Sequence, residues 1–179
     1  TTATAIGKMK RADALVKLSG LCMANAEALL AALHFCAEDG IGCFRVNSQI
    51  LPVKTHPTSG YGIEELPDGQ EIIRGFKECG KFAEQHQLRT CFHPDQFVVL
   101  NSPREEVVEK SIEELEYQAE VADWIGADVI NVHGGGAYGA AACPHDNLVL
   151  ESAHVPCSVF FLRDRARSIC RASRRRDAG

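Results

Sequence analysis

Leu88-Arg89-Thr90-Cys91-Phe92-His93-Pro94-Asp95-Gln96-Phe97, residues 88–97, changes character at its centre. Leu88 to Phe92 is a short, mostly apolar run of strand length. Pro94 has no N–H to give to a sheet ladder, so the strand breaks at His93-Pro94 and leaves His93 at its C-terminal end. Upstream, Asp68 with Glu71 three residues on has the form of a capping box. Ile72, Phe76, Cys79 and Ala83 then fall on one helical face. Earlier still, Ile41 to Val46 predicts a strand ending in Asn47 and Ser48, and a Pro-, Gly- and Thr-rich loop runs from Leu51 to Gly69. Asn25 suits the cap of a preceding helix that carries Leu29, Leu33 and Cys36 and ends at Gly40.

Downstream of the quoted stretch, Ser102, Pro103 and Glu105 form another helix start, with Pro at the first helical position. Val108, Ile112, Leu115, Ala119 and Ala122 form its predicted buried stripe, and Gly126 closes it. Asp128 to Val132 is a third strand, running into His133 and Gly134-Gly135-Gly136. This βαβαβ order, with strands that read as buried, predicts an α/β fold with a parallel sheet covered by helices. Three strands cannot close a barrel. A repeat of about 40 residues per βα unit fits part of a (β/α)8 (TIM) barrel, whose whole takes roughly 250 residues. The expected fold is a partial barrel lacking the first and the later strands; a doubly wound open sheet is the alternative.

The 179 residues allow one domain with a core, and 45 % apolar and 24 % charged residues are ordinary for a globular protein. No apolar run is expected to reach the roughly 18 residues of a membrane span, and Thr1 to Lys10 lacks a signal-peptide core. The expectation is a soluble, cytoplasmic (or nuclear) monomer without a membrane partner. The eight cysteines include no Cys-x-x-Cys pair and read as reduced thiols packed as small hydrophobes. A net charge of −5 argues against a surface coated in basic residues for non-specific nucleic-acid binding, but leaves room for a local basic groove.

The charge is unevenly spread. Residues 1–139 hold 12 Lys+Arg against 20 Asp+Glu, whereas residues 140–179 hold 7 Arg against 4 acids. Beyond Gly139 the strand–helix alternation stops, and Phe160, Phe161 and Leu162 give only a short apolar island. The sequence therefore divides into residues 1–139 and a divergent Arg-rich tail, 140–179, expected to be disordered or read out of frame.

In a barrel of parallel strands the chemistry gathers at the C-terminal strand ends. His93 and His133 end consecutive strands, and their imidazoles suit a divalent metal such as Mn2+ or Zn2+. The plainer account, a hydrogen-bonded loop histidine, stands beside it for each. Past His93, Gln96 offers an amide able to read base edges and Phe97 a ring able to fill the gap left by an unstacked base. On spacing alone, a structured loop with Phe97 packed on the core is the preferred reading. The glycines after His133 suit close approach of a phosphate or, equally, a flexible turn. Arg45 and Ser48 end the first strand and would face a phosphate or be structural, and His56 in the long loop means little alone. Trp124 and the Glu113-Glu114-Glu116 run read as a helix body and a solvated face. Cys143, His145, His154 and Cys157 match no common zinc spacing.

Together these stretches resemble the UV damage endonuclease family. The matching blocks are Phe44-Arg45-Val46-Asn47-Ser48 with Leu51-Pro52 and Thr55-His56-Pro57, and the long run Phe92-His93-Pro94-Asp95-Gln96-Phe97-Val98-Val99-Leu100-Asn101-Ser102-Pro103. Val107-Val108-Glu109-Lys110-Ser111-Ile112 with Glu114-Leu115-Glu116-Tyr117, and Asn131-Val132-His133-Gly134-Gly135-Gly136, complete the set, over roughly residues 5–139. The resemblance implies a TIM barrel, a cluster of divalent metals (typically Mn2+, with Mg2+ or Zn2+ as alternatives) and double-stranded UV-damaged DNA as partner. It implies incision on the 5′ side of pyrimidine dimers and 6-4 photoproducts. Residue by residue, His93 and His133 look like metal ligands, Gln96 and Phe97 like the pair that probes damaged bases, and His56 like an active-site histidine near the scissile phosphate.

Many relatives carry Tyr where this chain has Phe97. Glu151, in Leu148-Val149-Leu150-Glu151, mimics the family's metal-bridging Glu but comes earlier than the family pattern places it. The later Asp, His and Glu ligands have no counterpart, which implies an incomplete cluster and no incision by this chain alone. Two other functions fit parts of the pattern: a sugar isomerase or epimerase of the same metal-barrel superfamily, and a non-catalytic fragment whose Arg-rich tail binds nucleic acid.

Overall fold

A computed structural model describes residues 2–133 and the backbone of a strand at 158–162. The elements run α1 (Ala3–Gly7), α2 (Arg11–Glu38), β1 (Cys43–Val46), a 3-10 turn (Ile63–Glu65), α3 (Gly69–Gln85), β2 (Arg89–Phe92), α4 (Glu105–Ile125), β3 (Val129–His133) and β4 (Ser158–Leu162). β1, β2 and β3 are parallel and lie side by side in chain order, with Val46 opposite Phe92 and Phe92 opposite Ile130. The α3 helix touches both α2 and α4, so the three helices form one layer on one face of the sheet. Helices on a single face over strands in sequential order are the winding of a barrel segment, not of a doubly wound sheet.

The core lies between sheet and helices. Val46, Thr90, Phe92, Ile130 and Val132 are the buried strand residues, and Leu18, Cys22, Leu33, Ile72, Phe76 and Val121 meet them from the helices. Each such large apolar side chain contributes on the order of 2 kcal/mol by leaving water. The alternate strand residues, Cys43, Arg45, Arg89, Cys91, Asn131 and His133, stay exposed or half-buried on the other face. The strands thus alternate, and helices cover only one face among the described residues.

Several local expectations are corrected. The α2 helix begins at Arg11 rather than Asn25, because Asn25 sits mid-helix and donates from Nδ2 to the Ile50 carbonyl at 2.7 Å instead of capping. That helix is long and apolar enough, by length and composition, to cross a membrane, contrary to the expectation for this sequence. Here Leu18, Cys22 and Leu33 on one of its faces are fully buried in the core. Asp68 forms no capping box: its carboxylate takes the Ser19 hydroxyl at 2.9 Å, and Glu71 pairs with Arg74. The α4 helix starts at Glu105, leaving Pro103 outside it; Leu115, Ala119 and Ala122 of the expected stripe are buried, joined by Ser111, Gln118 and Ile125, whereas Val108 and Ile112 are only half-buried. The glycine terminations hold, Gly40 and Gly126 both taking left-handed backbone at φ 71° and 73°.

The apolar island forms β4, antiparallel to β3 with Ile130 opposite Phe161, where the sequence predicts no strand. The described cysteines are all free, and Cys22, Cys36 and Cys79 are buried as small hydrophobes, although Cys43 is exposed.

Candidate active site

The strand ends bring His93 and His133 together. Their ring centroids are 4.6 Å apart at an interplanar tilt of 32°. The cause is register: Phe92 lies opposite Ile130, so the next residues, His93 and Asn131, are neighbours and His133 stands one step further on the same face. His93 Nδ1 lies 2.8 Å from the Asn131 carbonyl oxygen. A carbonyl only accepts, so Nδ1 carries a proton, and in the neutral ring Nε2 keeps a free lone pair, the arrangement in which an imidazole binds a metal. Asn131 Oδ1 is buried with no hydrogen-bond partner among the described residues, an unmatched oxygen at the same strand end. The donors present therefore fit part of a divalent metal site. No group of three His, Cys, Asp or Glu that would hold a metal occurs among the described residues.

Beside the pair opens a cavity of about 980 Å³. Gln49, Thr55 and Pro57 line it from the loop after β1, residues 95–99 from the loop after β2, Arg104 from the N-cap of α4, Lys110 and Glu114 from its N-terminal half, and His133 from β3. The loop after β2 opens with a tight turn: Asp95 Oδ1 accepts the Phe97 N–H at 3.1 Å and the Asp95 carbonyl accepts the Val98 N–H at 2.9 Å. Pro94, Val98 and Val99 are buried on either side, so Gln96 and Phe97 are lifted to the tip. Phe97 is 76 % exposed. The expected packing of this ring on the core does not occur, because the turn points it outward.

His56 sits half-buried in the other loop. Its Nδ1 faces the N–H groups of Thr58 and Ser59 at 3.3 and 3.2 Å, so Nδ1 is the acceptor and the neutral ring carries its proton on Nε2. Its neighbours Thr55 and Pro57, rather than His56, line the cavity. Arg45 stands exposed on the open face of the sheet opposite Cys91, and Ser48 is held by its carbonyl; neither lines the cavity. The Glu113-Glu114-Glu116 run is not simply a solvated face: Glu114 is half-buried and takes the Thr55 hydroxyl at 2.7 Å and the Gln118 amide at 3.0 Å. Glu151, the three glycines after His133 and the Cys143, His145, His154, Cys157 set lie outside the described residues.

Gln49, Thr55, Arg104, Lys110 and Glu114 are cavity residues that sequence reasoning did not select. Thr55, Lys110 and Glu114 lie inside the blocks that carry the resemblance. Arg104 gives no signal beyond being a cation near a helix start.

The profile of UV-endonuclease UvdE matches residues 1–161. The chain belongs to the UvdE family. The match continues past Gly139, beyond the blocks that carry the resemblance. The UvdE-family chain is 34 % identical over 139 residues to a UV DNA damage endonuclease of Bacillus velezensis, covering 76 % of this chain and 41 % of that protein. It is 30 % identical over 161 residues to a UV DNA damage endonuclease of Bacillus cereus (strain Q1), covering 86 % of this chain and 49 % of that one. It is similar to the crystal structure of SacUVDE, with a TM-score of 0.63, 28 % identity and coverage of 74 % of this chain and 43 % of that one. This UvdE-family chain thus spans less than half the length of these relatives.

Proposed function

We propose that this UvdE-family chain binds UV-damaged double-stranded DNA and serves its incision on the 5′ side of the photoproduct, with divalent metal, Mn2+ foremost, at the His93–His133 strand ends. The observation that carries this is the placing of an exposed Gln96–Phe97 tip beside one cavity with His133, with His93 in ring contact behind it.

The chemistry follows from the residues. Phe97 gives up little packing to leave water for a base stack, and a ring inserted beside a photoproduct gains area where base stacking is already weakened. Gln96, next to it, presents both a donor and acceptors to base edges. Arg104 and Lys110 on the cavity wall match the charge of the sugar–phosphate chain passing over it. His56 offers its Nε2–H to a phosphate oxygen while its own loop holds Nδ1. His93 and His133 would hold the metal, Glu151 being a further sequence-level candidate, and the bound ion supplies Lewis-acid charge neutralisation and an activated water.

Hydroxyl-radical footprinting on a duplex with one defined pyrimidine dimer tests the reading. Protection that spans the dimer and the phosphates on its 5′ side is expected. Uniform protection along the duplex, or a footprint on the 3′ side, would contradict it.

A further inference from the structure

Both cavity loops are tied to successive turns of one helix. Ser111 Oγ donates to the Val107 carbonyl at 2.7 Å and accepts the Val99 N–H at 3.0 Å, anchoring the loop that carries Gln96 and Phe97. One turn on, Glu114 Oε2 takes the Thr55 hydroxyl at 2.7 Å, and its other oxygen is held by the fully buried Gln118. A further turn on, the Tyr117 hydroxyl accepts the Leu51 N–H at 3.0 Å and donates to the Ser48 carbonyl at 3.0 Å. Residues spaced by three on a helix lie on the same side, so the three anchors form one polar stripe.

We propose that Ser111, Glu114 and Tyr117 are positioning residues by which α4 sets the Thr55–Pro57 side of the cavity and the Gln96–Phe97 tip at a fixed separation for reading damaged DNA. This rests on the proposed function. Rigid supports of this kind let a binding site meet its ligand without first ordering it, and a displacement of about 1 Å is enough to weaken such a site. The Tyr117 phenol suits this anchoring role, because burial holds its ionisation far above the ordinary range and the hydroxyl keeps the proton it donates. Loss of Ser111 or Tyr117 would leave a backbone group of one loop without its partner, and loss of Glu114 would leave the Thr55 hydroxyl without its acceptor.

The test uses the whole chain with Tyr117→Phe and Ser111→Ala, and Cys79→Ala as a core variant away from both loops. Site-resolved amide exchange and affinity for UV-irradiated against unirradiated duplex are measured for each. Tyr117→Phe is expected to speed exchange of the Leu51 amide, and Ser111→Ala that of Val99, each by about tenfold, the effect of one lost buried partner. Both are expected to lower the preference for irradiated duplex several-fold, while Cys79→Ala lowers global stability and leaves that preference intact. Thr55→Val, which removes one anchor from the loop side, replaces Tyr117→Phe should the latter not fold. Unchanged exchange at Leu51 and Val99 overturns the proposal, and so does faster exchange with an unaltered preference. If the unsubstituted chain shows no preference for irradiated duplex, the proposed function fails, and the exchange data alone then decide whether α4 fixes the loops.

Discussion

The His93 and His133 ring centroids lie 4.6 Å apart, and the carbonyl of Asn131, beside His93 on β3, accepts a hydrogen bond from His93 Nδ1–H. This leaves His93 Nε2 as a lone pair beside a second imidazole. If the two rings share a divalent ion, replacing either one by Ala lowers affinity for Mn2+ or Co2+ by about tenfold or more, as loss of a metal-site contact does. Isothermal titration measures the loss, and Mn2+ is expected to broaden these two ring signals before those of the other described histidines. Equal broadening of every histidine would argue against a site here.

Phe97 is three-quarters exposed, so its removal should cost the fold almost nothing. Phe97→Ala is expected to shift unfolding stability by no more than about 0.5 kcal/mol. The same change should weaken binding to photoproduct-bearing duplex by about 1–3 kcal/mol, the worth of one stacked base. Urea unfolding and fluorescence anisotropy read the two quantities. A large stability loss would mean that the ring packs on the core after all.

Stability should fall in alkali. Burial pushes the Cys79 thiol from 9.0 up to about 11, and burial, with Cys22 next to it, raises the Tyr61 phenol well above 10.0. Burial likewise raises Tyr117. These groups lose their protons in the unfolded chain at a lower pH than in the folded one. Their contribution is fully present below the unfolded values; it begins to be lost as pH passes about 9 for the thiol and 10 for the phenols, and the loss continues until pH exceeds the folded values, about 11 for Cys79. Each group steepens the decline by up to about 1.4 kcal/mol per pH unit. Urea midpoints measured between about pH 8 and 10.5 should show the drop, and Tyr61→Phe should make it shallower.

Gly80 on α3 lies so close to α4 that a Cβ there would meet the Ile125 carbonyl oxygen. Backbone cannot yield as a flexible side chain does, so the helices must move apart. Gly80→Ala is expected to destabilise by about 1–3 kcal/mol despite the better helix propensity of Ala. Thermal unfolding checks it; a neutral or stabilising result would mean that α3 and α4 pack less tightly than described.

The fold was legible where hydrophobic period and strand ends coincided. Phe92-His93-Pro94 and Val132-His133 located two parallel strands and the side of the sheet on which chemistry would gather. Helix starts were read less well, because Asn25, Asp68 and Ser102 looked like caps, yet Asn25 and Asp68 spend their side chains on other elements and Ser102 holds a turn two residues before α4. Such long-range partners leave no local trace. The same holds for the site. Gln96 and Phe97 were found from sequence, but the outward aim of the ring depends on the Asp95 turn between buried Pro94 and Val98. The Glu114–Thr55 bond joins residues 59 apart in the chain, and helix periodicity could only place Glu114 among its acidic neighbours.

Whether the Gln96–Phe97 tip and its cavity read UV damage in duplex DNA is tested most directly by competition anisotropy in Mn2+. The two duplexes are identical except for one pyrimidine dimer. The damaged duplex is expected to bind several-fold more tightly, with the difference lost in Phe97→Ala. Equal affinity for the two duplexes would contradict the account.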